Sequence, residues 1–150
     1  MEYILLFEQF IADETHSKHY SFSEVQAIQQ EGRIMKKDKS FIFYDADKDD
    51  IFTYEIIPIE IIKYGKDKEK AYGSLCISKY KNNGQQEDAE AVSTLLKILK
   101  EQGHLNPIVV TEDLCIMDGH HRYAAYCEAS KNNIRAYNIP AFVRQRAPHQ

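Results

Sequence analysis

The sequence predicts an α+β fold, in which a unit of residues 56–150 follows an N-terminal accessory segment of residues 1–55. Three observations support this prediction. Apolar residues recur at helical spacing in 87–102, and Gly103 follows where such a helix would end. Short runs rich in β-branched and aromatic residues alternate with polar turns, which favours strands. A length of 150 residues, 43% of them hydrophobic, is enough for one domain with a single sizeable core.

The first 55 residues are predicted to contain strands around one helix. The helix is predicted to begin at Ser21 or Ser23, either of which can cap it, and to end at Gly32. The strand-like runs cover 3–10, 40–45 and 51–56. An acidic turn joins the last two runs, so we expect them to form a β-hairpin.

The second unit is predicted to alternate strands and helices. The strand-like runs are 57–62, 106–110, 114–118 and 139–145, and the helical segments are 87–102 and 120–131. A tight turn between 106–110 and 114–118 predicts a second hairpin. Residues 63–88 are polar and rich in lysine, and we expect loops there.

Charge and cysteine content restrict the class of protein. There are 19 Lys and Arg against 23 Asp and Glu, whereas a dedicated duplex-DNA binder usually has a basic face, so DNA is not the expected partner. The three cysteines form no CxxC pair, which favours reduced thiols rather than a disulfide framework or a zinc site. The first ten residues lack the basic start of a signal peptide, and no run reaches membrane-spanning length. We therefore expect a cytoplasmic protein.

The segment LCIMDGHHRYAAY (114–126) is the one that carries chemistry. Gly119 stands where a predicted strand turns into a predicted helix, and glycine lets a ligand approach the backbone closely. The first turn of a helix has unpaired N–H groups and a partial positive charge, so it attracts anions. Cationic side chains there cost about 0.3–1 kcal/mol each unless an anion balances them. The cations therefore predict a phosphorylated ligand such as a nucleotide.

Specific roles follow for the residues of this turn. His120, His121 and Arg122 are predicted to donate to phosphate oxygens, and arginine can do so with two parallel bonds. Asp118 is predicted to hold Mg²⁺ between the phosphates or to accept a proton. The alternative is structural, with His121 capping the helix or filling a cavity.

LNPIVVTEDLCIMDGHHRYAAY (105–126) resembles the signature of the ParB/sulfiredoxin superfamily. IPIEII (57–62) resembles the opening strand of that family, 87–110 its helix and following strand, and IPAFVR (139–144) its closing strand. The resemblance covers about 57–145 and implies a mixed sheet with flanking helices. The first 55 residues lie outside it.

Within this superfamily, the sequence of this turn differs between proteins with different activities. HRYAAY (121–126) also occurs in the sulfiredoxins, but His120 takes the place of their essential cysteine, so sulfinic acid reduction is not expected. The helix-turn-helix that reads DNA in chromosome-partitioning ParB proteins is not found in the sequence. The DGHHR form most resembles the ParB-like free serine kinases.

That resemblance implies a phosphotransferase that uses Mg²⁺ and ATP or ADP, with CTP as an alternative nucleotide. The acceptor would be a small, serine-like hydroxyl compound or a protein side chain. The implied catalytic residues are Asp118, His120 and an acid of the loop 63–70, either Glu69 or Asp67. Gly119, His121 and Arg122 would complete the nucleotide site. Thr94 aligns with a hydroxyl residue that contacts phosphate in the sulfiredoxins, and the alternative is a solvated threonine on the helix.

An Asp118→Asn variant is expected to fold normally and to lose turnover. The alternative is a non-catalytic or CTPase-like ParB-type regulator, gated by nucleotide and associated with DNA. The sequence also leaves open a homodimer, or a protein partner bound through residues 1–55.

Overall fold

The computed structural model describes residues 19–31, 46–65, 67–131 and 138–145. The strands are β1 (His19–Ser21), β2 (Ile51–Pro58), β3 (Lys63–Tyr64), β4 (Glu69–Lys70), β5 (Ile108–Val110), β6 (Ile116–Asp118) and β7 (Asn138–Gln145). The helices are α1 (Phe22–Glu31), α2 (Ile77–Asn82), α3 (Gln86–Gln102) and α4 (His120–Ser130), and Ile59–Ile61 form a 3₁₀ turn. The strand predicted at 3–10, the 40–45 half of the first hairpin and the helix stop at Gly32 lie outside the described residues.

A five-stranded mixed sheet organises the described residues, with the strand order β1-β2-β7-β5-β6. The pairs β1/β2, β2/β7 and β5/β6 are antiparallel, whereas β5 and β7 are parallel. β2 and β7 pair along their whole length, from Ile51 opposite Gln145 to Pro58 opposite Asn138. The predicted α+β class, with a mixed sheet and flanking helices, is confirmed.

Both faces of the sheet are covered. Since successive side chains of a strand point to opposite sides, a single strand can contribute to the core on each face. Ile108 and Val110 of β5 belong to the larger core, which α3 and α4 complete. Val109, between them, belongs to a second core that contains Val25 and Ile28 of α1. The described part of the N-terminal segment therefore packs directly on the sheet.

The helix predicted at 87–102 is α3, and it ends at Gly103 in a left-handed conformation with φ 84°. The start of α1 also follows the prediction. The Glu24 N–H donates to Ser21 Oγ at 3.1 Å, and the Ser21 N–H donates to a carboxylate oxygen of Glu24 at 3.1 Å, which is a reciprocal capping box.

The prediction of loops throughout 63–88 is wrong in part. β3 and β4 form a two-stranded ribbon, and α2 follows it. The N–H of Ile77, at the start of α2, donates to Glu128 Oε1 of α4 at 2.9 Å, and Tyr80 on α2 is buried. A distant carboxylate and a buried ring thus stabilise a helix of six residues that has little intrinsic tendency to form.

The division of the chain at residue 55 stays a prediction. The boundary falls inside β2, whose eight residues run from Ile51 to Pro58. The three cysteines are free thiols, and Cys76 and Cys127 are buried.

Candidate functional site

The turn from β6 into α4 is built around Gly119. β6 ends at Asp118 and α4 begins at His120, and Gly119 between them has φ 103°. A Cβ atom added to Gly119 would lie 2.8 Å from Ile108 Cγ2 and 3.0 Å from Arg122 Nη2. The position therefore needs glycine for its left-handed backbone and for the close approach of its neighbours.

Arg122 folds back from the first turn of α4 towards the sheet. Its Nη1 donates to the carbonyl oxygens of Pro107 at 2.6 Å and Asn106 at 3.4 Å. Its Nη2 donates to Asp118 Oδ2 at 2.8 Å, and the two side chains are only 8% and 14% exposed. The guanidinium thus joins the start of β5 to the end of β6. Phosphate binding by Arg122 stays a prediction, and these contacts assign it a structural role as well.

His121 is paired across a helix interface. Its Nε2 lies 2.8 Å from Asp88 Oδ1 on α3, and both side chains are half-buried. The ring of Tyr80, on α2, contacts the imidazole edge-on, with ring centroids 5.9 Å apart. Burial and the neighbouring Asp88 carboxylate raise the pKa of Tyr80 to about 12, so its phenol is neutral. Three helices therefore meet at the His121 ring.

His120 is the exposed histidine of the turn. Within the described residues, no hydrogen bond or ion pair involves its side chain. The protein mass around the ring reduces its hydration, which lowers the pKa of His120, and Asp118 opposes that effect. Without a ligand, His120 is therefore a neutral imidazole near pH 7.

Carboxylates of the protein already balance part of the positive charge predicted for the turn. Two of its three cationic groups already face carboxylates of the protein, because Arg122 pairs with Asp118 and His121 with Asp88. Among the described residues, no side chain caps the start of α4, and the helix has no acidic residue in its first turn. The first hydrogen bond within the helix runs from the Tyr123 N–H to the Gly119 carbonyl at 2.8 Å. The amides that precede Tyr123 remain the anion-attracting part of the turn.

Two further predicted residues lie on other elements. Thr94 is exposed on α3, and its hydroxyl donates to the Glu90 carbonyl of the same helix at 3.1 Å. Glu69 is exposed on β4 and Asp67 is exposed in the turn before it. Lys63 of the ribbon that carries these two acids forms an isolated parallel bridge with Cys115, the residue that precedes β6. Roles for Thr94, Glu69 and Asp67 stay predictions.

A buried polar cluster beside the turn was not predicted. Gln29 Nε2 on α1 donates to the Pro107 carbonyl at 2.9 Å, and Asn106 Nδ2 donates to the Ile28 carbonyl at 3.1 Å. Gln29 and Asn106 are 0% and 2% exposed. The Pro107 carbonyl thus accepts bonds from both Gln29 and Arg122.

The sequence contains a weak signal for two of the missed residues. Asp88 precedes Val92 by four positions and so lies on the apolar face of α3 that Leu95 continues. Gln29 follows Ile28 and lies four positions after Val25, on the buried side of α1. A polar residue in register with an apolar face needs a buried partner, and that is the observation that could have identified both.

The described residues give weak support for a protein-held metal ion. Among them, no three His, Cys, Asp or Glu side chains are grouped to ligate one. Mg²⁺ can be held by one carboxylate together with substrate phosphates. However, Arg122 already bonds Asp118 Oδ2, and a second cation at that carboxylate would be repelled. The carboxylate therefore fits the metal poorly, and we derive no chemical step through Mg²⁺.

Comparison with known proteins gave one family and few relatives. The family model described as the ParB N-terminal domain matches residues 64–149. A solved chain described as "Structure of the C2221 form of Pnob8-like ParB-N domain" is 13% identical, with a TM-score of 0.44. The similarity covers 67% of this chain and 33% of that one, so the chain spans about a third of the solved one. No curated protein matches.

In the described ranges, no helix combines the length and the apolarity that crossing a bilayer requires.

Proposed function

Because this chain belongs to the ParB N-terminal domain family, we propose that it binds a nucleotide at the start of α4 and transfers a phosphate from it. The donor is ATP or ADP, with CTP as the alternative, and the acceptor is a small serine-like hydroxyl compound or a protein side chain. The observation that carries this proposal is the first turn of α4, whose start has no side-chain cap from the described residues.

Phosphate recognition by this turn rests on backbone amides. The N–H groups of His120, His121 and Arg122 precede the first hydrogen bond within the helix and point along its axis. A phosphate placed there would accept from several amides and would be favoured by the helix dipole.

His120 would add a side-chain donor. Its pKa is lowered by loss of hydration, so the ring is mainly neutral while no anion is near. A bound phosphate would favour the charged form of the ring, because an opposite charge within about 4–6 Å stabilises the imidazolium. His120 would then pair with the phosphate as it binds.

The proposed transfer conserves atoms and charge. The hydroxyl oxygen of the acceptor attacks the terminal phosphorus of the nucleotide, and the bond from that phosphorus to the bridging oxygen breaks. The hydroxyl proton passes to a base, and the nucleotide leaves with one phosphate fewer. Such reactions depend mostly on positioning and on neutralising charge on the phosphoryl oxygens. Thr94 is a candidate for the nucleotide site, and Glu69 is a candidate for the base.

One observation favours a second function, that of a nucleotide-gated ParB-type regulator without transfer chemistry. Asp118, the leading candidate for a catalytic acid, is held by Arg122 in a nearly buried ion pair. A regulator needs the phosphate-binding turn but needs no available carboxylate. It would act through a homodimer, through DNA, or through a protein partner bound by residues 1–55.

Nucleotide binding is tested by thermal unfolding of the whole chain with ATP, ADP and CTP in turn. A ligand that binds only the folded chain stabilises it by about 2.7 kcal/mol at a hundredfold excess over Kd. A His120→Asn variant should lose much of the shift, whereas His19→Asn, which changes an exposed histidine on β1, should keep it. Wild-type protein that no nucleotide stabilises would refute binding.

Transfer is then tested by incubation with the stabilising nucleotide, Mg²⁺ and serine. Formation of phosphoserine, detected by mass spectrometry, would establish the phosphotransferase. Nucleotide binding with no phosphorylated product would instead favour the regulator.

A further inference from the structure

We propose that Asp88 is a positioning residue, which holds His121 so that this histidine accepts the proton of the hydroxyl substrate. The inference rests on the phosphate transfer proposed above and names its base. It is independent of Glu69, which lies exposed on the β3/β4 ribbon.

The contact between Asp88 and His121 defines which ring nitrogen carries hydrogen. Asp88 Oδ1 lies 2.8 Å from His121 Nε2, and an ionised carboxylate can only accept a hydrogen bond. His121 Nε2 is therefore the donor. In the neutral ring, the lone pair then belongs to Nδ1, which is free of hydrogen and able to accept a proton.

A second contact restricts the orientation of the ring. Tyr80 packs against His121 edge-on, with an interplanar angle of 67° between the rings. Tyr80 is buried, and its pKa of about 12 leaves the phenol uncharged. The titratable groups around His121 are thus Tyr80 of α2, Asp88 of α3, and His120 and Arg122 of its own helix. Asp88 is the acid that neutralises a charged His121 ring.

The location of His121 suits proton transfer at the proposed phosphate site. It is the second residue of α4, so its backbone belongs to the turn that would hold the phosphate. Nδ1 is bonded to Cγ and therefore lies nearer to this turn than Nε2, which reaches α3. An acceptor hydroxyl that approaches the terminal phosphate would meet Nδ1 near the backbone of the turn.

In the proposed step, each bond that forms is matched by one that breaks, and Asp88 neither gains nor loses a proton. The acceptor oxygen forms its bond to phosphorus, and its proton moves to His121 Nδ1. The bond from phosphorus to the bridging oxygen breaks, and the electron pair leaves with the nucleotide. The imidazolium that forms is stabilised by the Asp88 carboxylate at Nε2, as in other carboxylate–histidine pairs. The proton is released to water after the product leaves.

The tautomer is tested by nitrogen-15 NMR of the histidine side chains, without any nucleotide. His121 signals are identified by their loss in His121→Gln. We expect a protonated Nε2 and an unprotonated Nδ1 for the neutral ring. Asp88→Asn should alter these shifts, whereas Glu87→Gln, which removes a charge in the same turn of α3, should leave them unchanged. A neutral His121 ring protonated at Nδ1 would overturn the inference.

Measurements of kcat and of nucleotide Kd distinguish a positioning role of Asp88 from a purely structural one. General base catalysis contributes about 10²–10⁴-fold, so kcat should fall by this range in His121→Gln. Asp88→Asn should lower kcat while the Kd for nucleotide stays within a few-fold, and Asp88→Glu should restore part of the activity. An unchanged kcat in Asp88→Asn would refute the role of Asp88 and leave the phosphotransferase intact. Wild-type protein that forms no phosphorylated product would refute both the transfer and this inference, and the NMR result would show whether the pairing itself is present.

Discussion

Among the residues of the site, Gly119 is the one whose substitution we expect to be tolerated least. Its φ of 103° strains any other residue, and an added Cβ would lie 2.8 Å from Ile108 Cγ2. A Gly119→Ala variant should therefore lose about 1–3 kcal/mol of unfolding free energy, measured by urea denaturation. Gly73→Ala is the matched control, since Gly73 has φ 84° with no atom within 4 Å of the added Cβ. Equal losses in the two variants would show that the close approach at Gly119 is unimportant.

The ion pair between Asp118 and Arg122 alters the expectation for Asp118→Asn. Since the pair is nearly buried, removal of the Asp118 charge takes away the carboxylate that Arg122 Nη2 contacts at 2.8 Å, and we expect a loss of about 3–5 kcal/mol in unfolding free energy. The expectation that this variant folds normally is therefore replaced by one of reduced stability.

A double variant provides the control for this pair. Asp118→Leu with Arg122→Met removes both charges, and the Pro107 carbonyl keeps its bond from Gln29. The double variant should therefore be more stable than Asp118→Asn in the same denaturation experiment. If Asp118→Asn is as stable as the parent, the ion pair contributes nothing and the original expectation holds.

The motif at 118–122 could be recognised from the sequence, because strand, glycine and helix follow one another without interruption. Two partners of its cations, Asp88 and Pro107, lie outside the motif and could not be recognised. Asp88 is 33 positions from His121, and Pro107 is 15 positions from Arg122. The interpretation of the three cations as donors that await a ligand is therefore incomplete. Asp118 pairs with Arg122 from four positions away, whereas only the fold brings Asp88 to His121.

At the scale of elements, Pro107 connects α1 to the turn that precedes α4. Gln29 on α1 is fully buried and donates to the Pro107 carbonyl, which also accepts from Arg122. A Gln29→Leu variant removes the bond from α1, and we expect a loss of about 1–3 kcal/mol, measured by thermal or urea unfolding. Gln30→Leu, at the exposed neighbouring position, should stay within about 0.5 kcal/mol of the parent. A similar result for both variants would mean that the bond from Gln29 to Pro107 adds nothing measurable to the stability of the chain.

The elements that could be predicted are those whose signal is local. α3 has several turns of apolar periodicity and a glycine stop, so its limits were found within one residue. α2 has six residues and depends on Glu128, which lies 51 positions after Ile77. No pattern within 63–88 could show that contact.

At the scale of the whole molecule, the sheet depends on residues before position 56. β2 pairs with β7 from Ile51 onwards, and Phe52 belongs to the second core together with Val25 and Ile28 of α1. A fragment of residues 56–150 would lack most of β2 and the helix that covers this core. We expect it to unfold without a cooperative transition and to expose apolar surface, measured by circular dichroism and dye binding. A cooperative transition with the stability of the whole chain would instead support an independent unit from residue 56.

The lengths of the described strands bear on pairing between the sheet edges of neighbouring copies. Among the described strands, the two long ones, β2 and β7, each have eight residues and lie inside the five-stranded sheet, whereas the outermost strands, β1 and β6, have three residues each. A neighbouring copy that approached either rim would find a template too short for stable cross-molecule pairing. Aggregation through those rims is thereby discouraged, even though the interior of the sheet is rich in branched and aromatic side chains.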